Sequence, residues 1–176
     1  MASVGNPVVA LRPMTDAEFP AWRELALEHH AAQVSRATGT DLGAATEESR
    51  ALLATVLPAG LATEKMNLFV VIDEAAREVG WLWLGAVPHD DTTGFLFDII
   101  IEATARGHGY GRATMQAAER FFLAQSKTRV SLDVAGGNDV ALGLYASMGY
   151  LPISTSMAKT LDGPREPSAV NPGRKP

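Results

Sequence analysis

Two features of the chain have residue types and spacing suited to chemistry. The first is Arg106-Gly107-His108-Gly109-Tyr110-Gly111-Arg112, three glycines in seven residues with a helical pattern directly behind them. Glycines let backbone N–H groups turn toward an anion, and a helix N-terminus adds free donors and the positive end of a dipole. That combination reads as a cradle for the phosphates of a nucleotide-containing cofactor. The second feature is Asp98, a carboxylate inside the otherwise apolar run Phe95 to Ile101. A charge in such a run needs a partner or a task, because burying it alone is costly.

The surrounding elements must place these groups. Phe95 to Ile101 is aromatic and β-branched and reads as a buried strand. Glu102 to Ala105 is a short connection, and Met115, Ala118 and Phe122 mark the buried stripe of the helix after the loop. Upstream, Val8 to Leu11 reads as a first strand ended by Pro13. Thr15 and Glu18 form a capping-box start for a helix carrying Trp22, Leu25, Ala26 and His29 on one face. Gly39 to Gly43 is a polar break, and a second helix starts at Thr46 and stops at Pro58 and Gly60. Asn67 to Ile72 and Val79 to Val87 read as an antiparallel hairpin, with Trp81 and Trp83 on one face, better explained by core packing than by a binding groove.

Pro88 to Gly94 reads as a loop. Arg129 to Ala135 is a strand with one polar face, and Asn138 caps a helix through Ala141, Leu144, Tyr145 and Met148, stopped by Gly149. Leu151 to Leu161 is a last strand candidate, and Asp162 to Pro176 a proline-rich disordered tail. The expected organisation is one domain over residues 1–161. The fold class is α/β (α+β): a mixed, mostly antiparallel central sheet flanked by helices, with a crossover helix late in the chain.

Composition narrows the function. At 176 residues, 47% hydrophobic and 20% charged, the chain can bury a sizeable core. It has no cysteine, which excludes disulfides, thiolate metal sites and a cysteine nucleophile, and fits a cytoplasmic location. A net charge of −5 argues against nucleic acid as a partner and suits a cationic substrate. No apolar run reaches the ~18 residues of a membrane helix. Metal ligation is not expected: His29 and His30 are adjacent and diverge on a helix, and His89-Asp90-Asp91 reads as a solvated turn.

Three phosphate-loop readings compete. A P-loop is excluded because no Gly-Lys-Ser/Thr follows. A dinucleotide-binding unit would use Gly109 and Gly111 with Asp133 on a ribose, but Thr114 stands at the third glycine and the connection from Ile101 is long. In the third, Arg106-Gly107-His108-Gly109-Tyr110-Gly111 resembles the Q/R-x-x-G-x-G/A signature of the GNAT superfamily of N-acetyltransferases. Leu11-Arg12-Pro13 resembles the usual opening of that family, and Asn138, Ala141, Leu144-Tyr145 and Gly149-Tyr150 resemble its last-helix pattern. Met157-x-Lys159-x-Leu161 is similar to its closing strand, and Phe97-Asp98-Ile99 to a subgroup of small bacterial members. The likeness runs from Val8 to Leu161. Ala103 departs from the family, where proline is common, and shapes only a turn.

The resemblance implies the acyl-CoA N-acyltransferase fold, acetyl-CoA as co-substrate, no metal, and transfer to a primary amine of a small molecule or peptide by direct attack. It implies that the pantetheine arm pairs with the backbone near Ile99 and Ile101. The pyrophosphate would lie on N–H groups of Arg106, Gly107, His108, Gly109, Tyr110, Gly111 and Arg112, with Asn138 nearby. Arg112 adds charge there or is a solvated first-turn residue; both readings stand. Tyr145 aligns with the tyrosine that protonates the leaving thiolate, with core packing as the bland reading. Asp98 is the amine's base, its cationic contact, or a structural acceptor, and Glu102 is the alternative base. Many relatives are dimers, so a homodimer stays open. A non-catalytic CoA-binding domain of the same fold and a small dinucleotide-binding protein are the competing functions.

Overall fold

The computed structural model describes residues 7–87 and 90–157. Its centre is a five-stranded sheet in the order β1-β2-β3-β4-β5, formed by Val9–Pro13, Met66–Asp73, Glu78–Val87, Asp90–Ile101 and Arg129–Leu132. The first four strands are antiparallel neighbours. Two helices, α1 (Phe19–Thr38) and α2 (Leu42–Val56), lie between β1 and β2, and β5 joins β4 in parallel after a crossover through helix α3 (Tyr110–Ala124). The last helix, α4, spans Asp139–Ser147. Among the described residues no helix is long and apolar enough to cross a membrane.

The period-2 alternation of the strands sorts their side chains between two cores. On one face Phe69 and Val71 of β2 join Leu82 and Leu84 of β3 against Met115, Ala118 and Phe122 of α3. On the other, Leu68 and Val70 join Trp83 against Trp22 and Ala26 of α1. The tryptophan face is therefore core. Trp22 meets Trp83 edge-on at 5.7 Å between ring centroids, and Trp83 stacks on Phe97 at 4.6 Å. The helix α3 packs tightly on the sheet at Gly94, where a Cβ would lie 2.3 Å from the Phe122 ring.

Several boundaries differ from expectation, each for a local reason. β1 runs from Val9 and ends at Pro13, as expected of the proline, but includes it as its last residue, paired with Phe69, which an edge strand tolerates because a missing donor there costs no ladder bond. Helix α1 begins at Phe19, because Pro20 lacks the N–H that would join the Thr15 turn to the helix. Glu18 still reaches back: its carboxylate accepts from the Thr15 N–H at 2.8 Å and from Arg12 at 2.6 Å. Helix α2 begins at Leu42, capped by Asp41, whose carboxylate accepts from Gly43 and Ala44 N–H groups, while the Thr46 hydroxyl bonds back to Leu42 O.

β4 begins at Asp90, so residues 90–94 are strand where a loop was expected. The Asp90 carboxylate accepts from the Thr92 N–H and hydroxyl. Residues 151–157 form no strand, and Leu151, Ile153 and Met157 stay exposed. Alternation alone makes no strand; the backbone needs a partner ladder, and these residues have none among those described. The rest of the expected closing strand, with Lys159 and Leu161, the 162–176 tail, Pro88 and His89 lie outside the described residues.

Two outcomes follow from this packing. Gly94→Ala drives a methyl into the Phe122 ring, which is 2% exposed and cannot retreat, and is expected to cost about 1–3 kcal/mol in urea unfolding; an unchanged midpoint would refute the close approach. Arg12, and then the Thr15 N–H and hydroxyl, hold the Glu18 carboxyl down at about 2 against its usual 4.5. A carboxyl depressed by folding stabilises fully above its unfolded value and loses that contribution as pH falls through its folded value. Between pH 5 and 2, the wild type should therefore lose more stability than Glu18→Gln; parallel curves would remove the latch from the account.

Candidate active site

The site begins where β5 leaves β4. Their parallel pairing runs from Thr93↔Arg129 to Leu96↔Leu132 and stops, while β4 continues to Ile101. A bulge at the same point, between the Trp83↔Asp98 and Leu84↔Leu96 pairs, inserts Phe97 as an extra residue and bends β4. The ladder to β3 shows which backbone groups are left over. In an antiparallel pair, residues bonded to the neighbour alternate with residues that face away. The Glu102 N–H donates to Val79 O, so Ile100 opposite Trp81 is also a bonded residue. Ile99 and Ile101 then turn their N–H and C=O groups to the other side, into the fork left by β5. Consistently, Ile101 O accepts there from Arg106 Nε at 2.9 Å.

The glycine loop closes the end of the fork. After a short 3-10 turn at Ala103–Ala105, the chain passes through Gly107 and Gly109 with φ of 77° and 86°, and α3 starts at Tyr110. The N-cap is Gly109, which has no side chain to occupy the first N–H groups of the helix. The Tyr110 phenol turns away and donates to Asp73 at 3.4 Å, in the β2–β3 turn, so only the backbone of Tyr110 faces the loop. Asp73 itself is held below the usual carboxylate range by Arg77, first through its side chain and then its N–H. His108 is exposed, and Arg106 is exposed apart from its bond to Ile101. Arg112 is no free solvated residue: its guanidinium donates to Ser147 Oγ at 2.5 Å and braces α3 against α4. Gly111 keeps the two helices close, with a Cβ there in ordinary 3.4 Å contact with Leu144.

α4 brings Tyr145 to the fork. Asn138 Oδ1 accepts from the Ala141 N–H at 3.2 Å, so its carbonyl oxygen serves the helix and its amide N–H₂ is left for other partners. Tyr145 is buried, with its ring 5.9 Å from that of Tyr150. Burial pushes the Tyr145 phenol up, and the negative charge of Asp98 adds to the shift. The phenol is thus held protonated at neutral pH, within electrostatic reach of the β4 carboxylate. Tyr150 is raised further, first by burial and then by Glu119, to which its hydroxyl donates at 3.0 Å.

Beside the fork lies a cavity of about 520 Å³ between α1, α2 and the parting strands. Phe97 and Asp98 of β4 line it, as do Asp133 and Val134, the first residues beyond β5. Asp98 Oδ1 lies 3.4 Å from His29 Nδ1, both partly buried. Glu102, the other candidate carboxylate, does not line this space; its N–H and C=O serve the β3 ladder and the 3-10 turn. The His29–Asp98 pair was not expected as a unit, although His29 sits on the inner face of its helix, which was the available signal. Asp133, weighed only for a ribose, sits at the cavity, and Thr114 is wholly buried inside α3. Among the described residues no group of three or more His, Cys, Asp or Glu side chains is placed to hold a metal ion.

The comparisons with known proteins agree with this geometry. The Acetyltransferase (GNAT) family model matches residues 22–150. YdgE of Bacillus subtilis (strain 168), an uncharacterized N-acetyltransferase, is 28% identical over 153 residues, 86% of this chain and 97% of its own. YycN of the same organism, also an uncharacterized N-acetyltransferase, is 28% identical over 155 residues, 87% of this chain and 99% of its own. The crystal structure of YycN superposes with a TM-score of 0.83 at 26% identity, covering 89% of this chain and 100% of that one. A spermidine N-acetyltransferase from Vibrio cholerae, in complex with CoA and spermine, shares the fold at 19% identity, with a TM-score of 0.57 over 80% of this chain and 79% of that one. With the family model running from α1 through the forked sheet and the glycine loop to the end of α4, the chain belongs to the GNAT family of acetyltransferases.

Proposed function

We propose that the enzyme transfers the acetyl group of acetyl-CoA to a primary amine of a small molecule or peptide by direct attack. The observation that carries this reading is the stretch Ile99 to Ile101, whose outward-facing backbone groups lead straight into the glycine loop. An amide-bearing arm laid in the fork finds the donors and acceptors a sixth strand would use. Its pyrophosphate then reaches the N–H groups at the start of α3, where the helix dipole favours negative charge. Binding of CoA by the spermidine N-acetyltransferase neighbour supports the same donor class.

The chemistry needs a base, a stabilised oxyanion and an acid. The neutral amine nitrogen attacks the thioester carbonyl carbon, the C–S bond breaks, and the thiolate takes the Tyr145 phenolic proton. Asp98, directly or through water, takes the proton the amine gives up. Its place at the cavity favours it over Glu102. The proton accepted at Asp98 balances the one lost from Tyr145, so the pair keeps its single negative charge, and one proton exchange through solvent restores both groups. Acetyl-CoA is a cytoplasmic metabolite, so a cytoplasmic location goes with this reading, and fractionation checks it.

Three variants test it. Tyr145→Phe should lower kcat by about 100-fold or more, with acetyl-CoA affinity kept, in an assay of free thiol release. Unchanged turnover would return Tyr145 to a packing role. Gly109→Ala, strained at φ 86° and with its Cβ 3.0 Å from Pro7, should weaken acetyl-CoA binding in calorimetry by about tenfold. Gly111→Ala has only an ordinary contact with Leu144 inside the protein, so a similar loss there reports on the phosphate itself. Wild-type affinity in Gly111→Ala would take the pyrophosphate off the helix start.

A further inference from the structure

The cavity beside the fork carries charge of one sign and at one end. Among its described lining residues Asp98 and Asp133 are carboxylates, and none is a lysine or arginine. Asp98 lies on β4 and Asp133 directly beyond the end of β5, so the two carboxylates flank the fork, and the charge of Asp98 reaches Tyr145. The far wall is formed by Leu52, Leu53 and Val56 of α2, with no charged group beside them in the lining. His30 is already occupied. The Ser49 hydroxyl donates to Ala45 O at 2.6 Å, so its oxygen accepts from His30 Nδ1 at 2.8 Å, and the pair braces α1 to α2. His29 is tied to Asp98 instead. The floor between the ends is Phe97 stacked on Trp83.

This arrangement discriminates by desolvation. A ligand carboxylate anywhere in the cavity would lose water with no cation to meet it, and beside the amine it would face Asp98. A second ammonium at the far end would meet leucine and valine and no carboxylate in the lining. An ammonium at the fork end is attracted by two carboxylates, and an aromatic or aliphatic body gains from the apolar walls.

Resting on the acetyl-transfer reading above, we propose that the acceptor is an amine with a single positive charge on an uncharged, apolar or aromatic body. Its nitrogen is held at the Asp98 and Asp133 end, next to the thioester. Its body lies along the Phe97 and Trp83 floor toward Leu52 and Leu53. A phenylalkylamine has this chemistry; amino acids, acidic amines and linear polyamines do not.

The test uses the full chain and four acceptors in a thiol-release assay: 2-phenylethylamine, phenylalanine, 4-(2-aminoethyl)benzoate and spermidine. The kcat/KM for 2-phenylethylamine should exceed each of the other three by about tenfold or more, since a site rejects what leaves a buried charge unpaired. Equal or better use of phenylalanine, the benzoate or spermidine overturns the proposal. If none releases thiol, calorimetric affinities of the same four amines decide it by the same ordering. Failure to bind acetyl-CoA would count against the donor reading alone, since the amine ordering is measured separately. Leu52→Arg sets a cation in the far wall at a position already 50% exposed, so folding is not at stake. It should shift the benzoate-to-phenylethylamine ratio by about tenfold toward the benzoate. An unshifted ratio would show that the body does not lie there.

Discussion

The structure depends on a parting of two hydrogen-bonded strands. Backbone N–H and C=O groups must find partners, and a sheet normally supplies them without interruption. Here β4 loses its β5 partner after Leu96 but stays paired with β3, across the bulge at Phe97, to Ile101. The groups of Ile99 and Ile101 are thereby left open to whatever enters the fork. One of them, Ile101 O, is already taken by Arg106, which ties the first residue of the glycine loop to the last residue of the strand. Strand edge and glycine loop are thus one continuous surface.

Two cores hold that fork open. On one side, Phe122 presses against Gly94, where β4 and β5 are still paired, and fixes the crossover helix. On the other, the extra residue Phe97 stacks on Trp83, which in turn meets Trp22 of α1. The bulge therefore has a packing partner and is not a loose defect. It also redirects β4 so that Asp98 reaches His29 and the cavity. Three consecutive residues thus serve core, cavity and strand edge: Phe97 stacks on Trp83, Asp98 meets His29 at the cavity, and Ile99 turns its backbone into the fork.

The charges are arranged around the fork by distance and burial. Asp98 serves both the cavity and Tyr145, whose phenol it helps to keep protonated. Arg112, at the start of α3, spans to Ser147 of α4 and so braces the helix that carries Tyr145 against the loop. The Arg12, Glu18 and Glu78 cluster lies apart from this and secures the entry to α1.

Much of this was legible in the residues. Alternation in β2 and β3 assigns Leu82 and Leu84 to one face and Trp83 to the other, because strand period is local geometry. The glycines of Arg106 to Arg112 announce a loop with left-handed backbone before a helix, for the same reason. The start of α2 was also written locally, in Asp41 as an N-cap two residues ahead of Gly43. Other features had no local signal, such as the length of β4, which depends on β3 being there to pair with it. The unpaired 151–157 segment shows the converse, since its alternating apolar residues have no neighbouring ladder among the described residues. Above all, His29 meets Asp98 across 69 positions of chain, a contact set by how α1 packs on the sheet. Residue types and periodicity by themselves determined most of the elements, the glycine loop ahead of a helix and the family likeness, since each is written within a few turns of backbone. Only the tertiary structure decided where β5 leaves β4 and which side chains face the resulting space, because both are settled by packing between segments far apart in sequence.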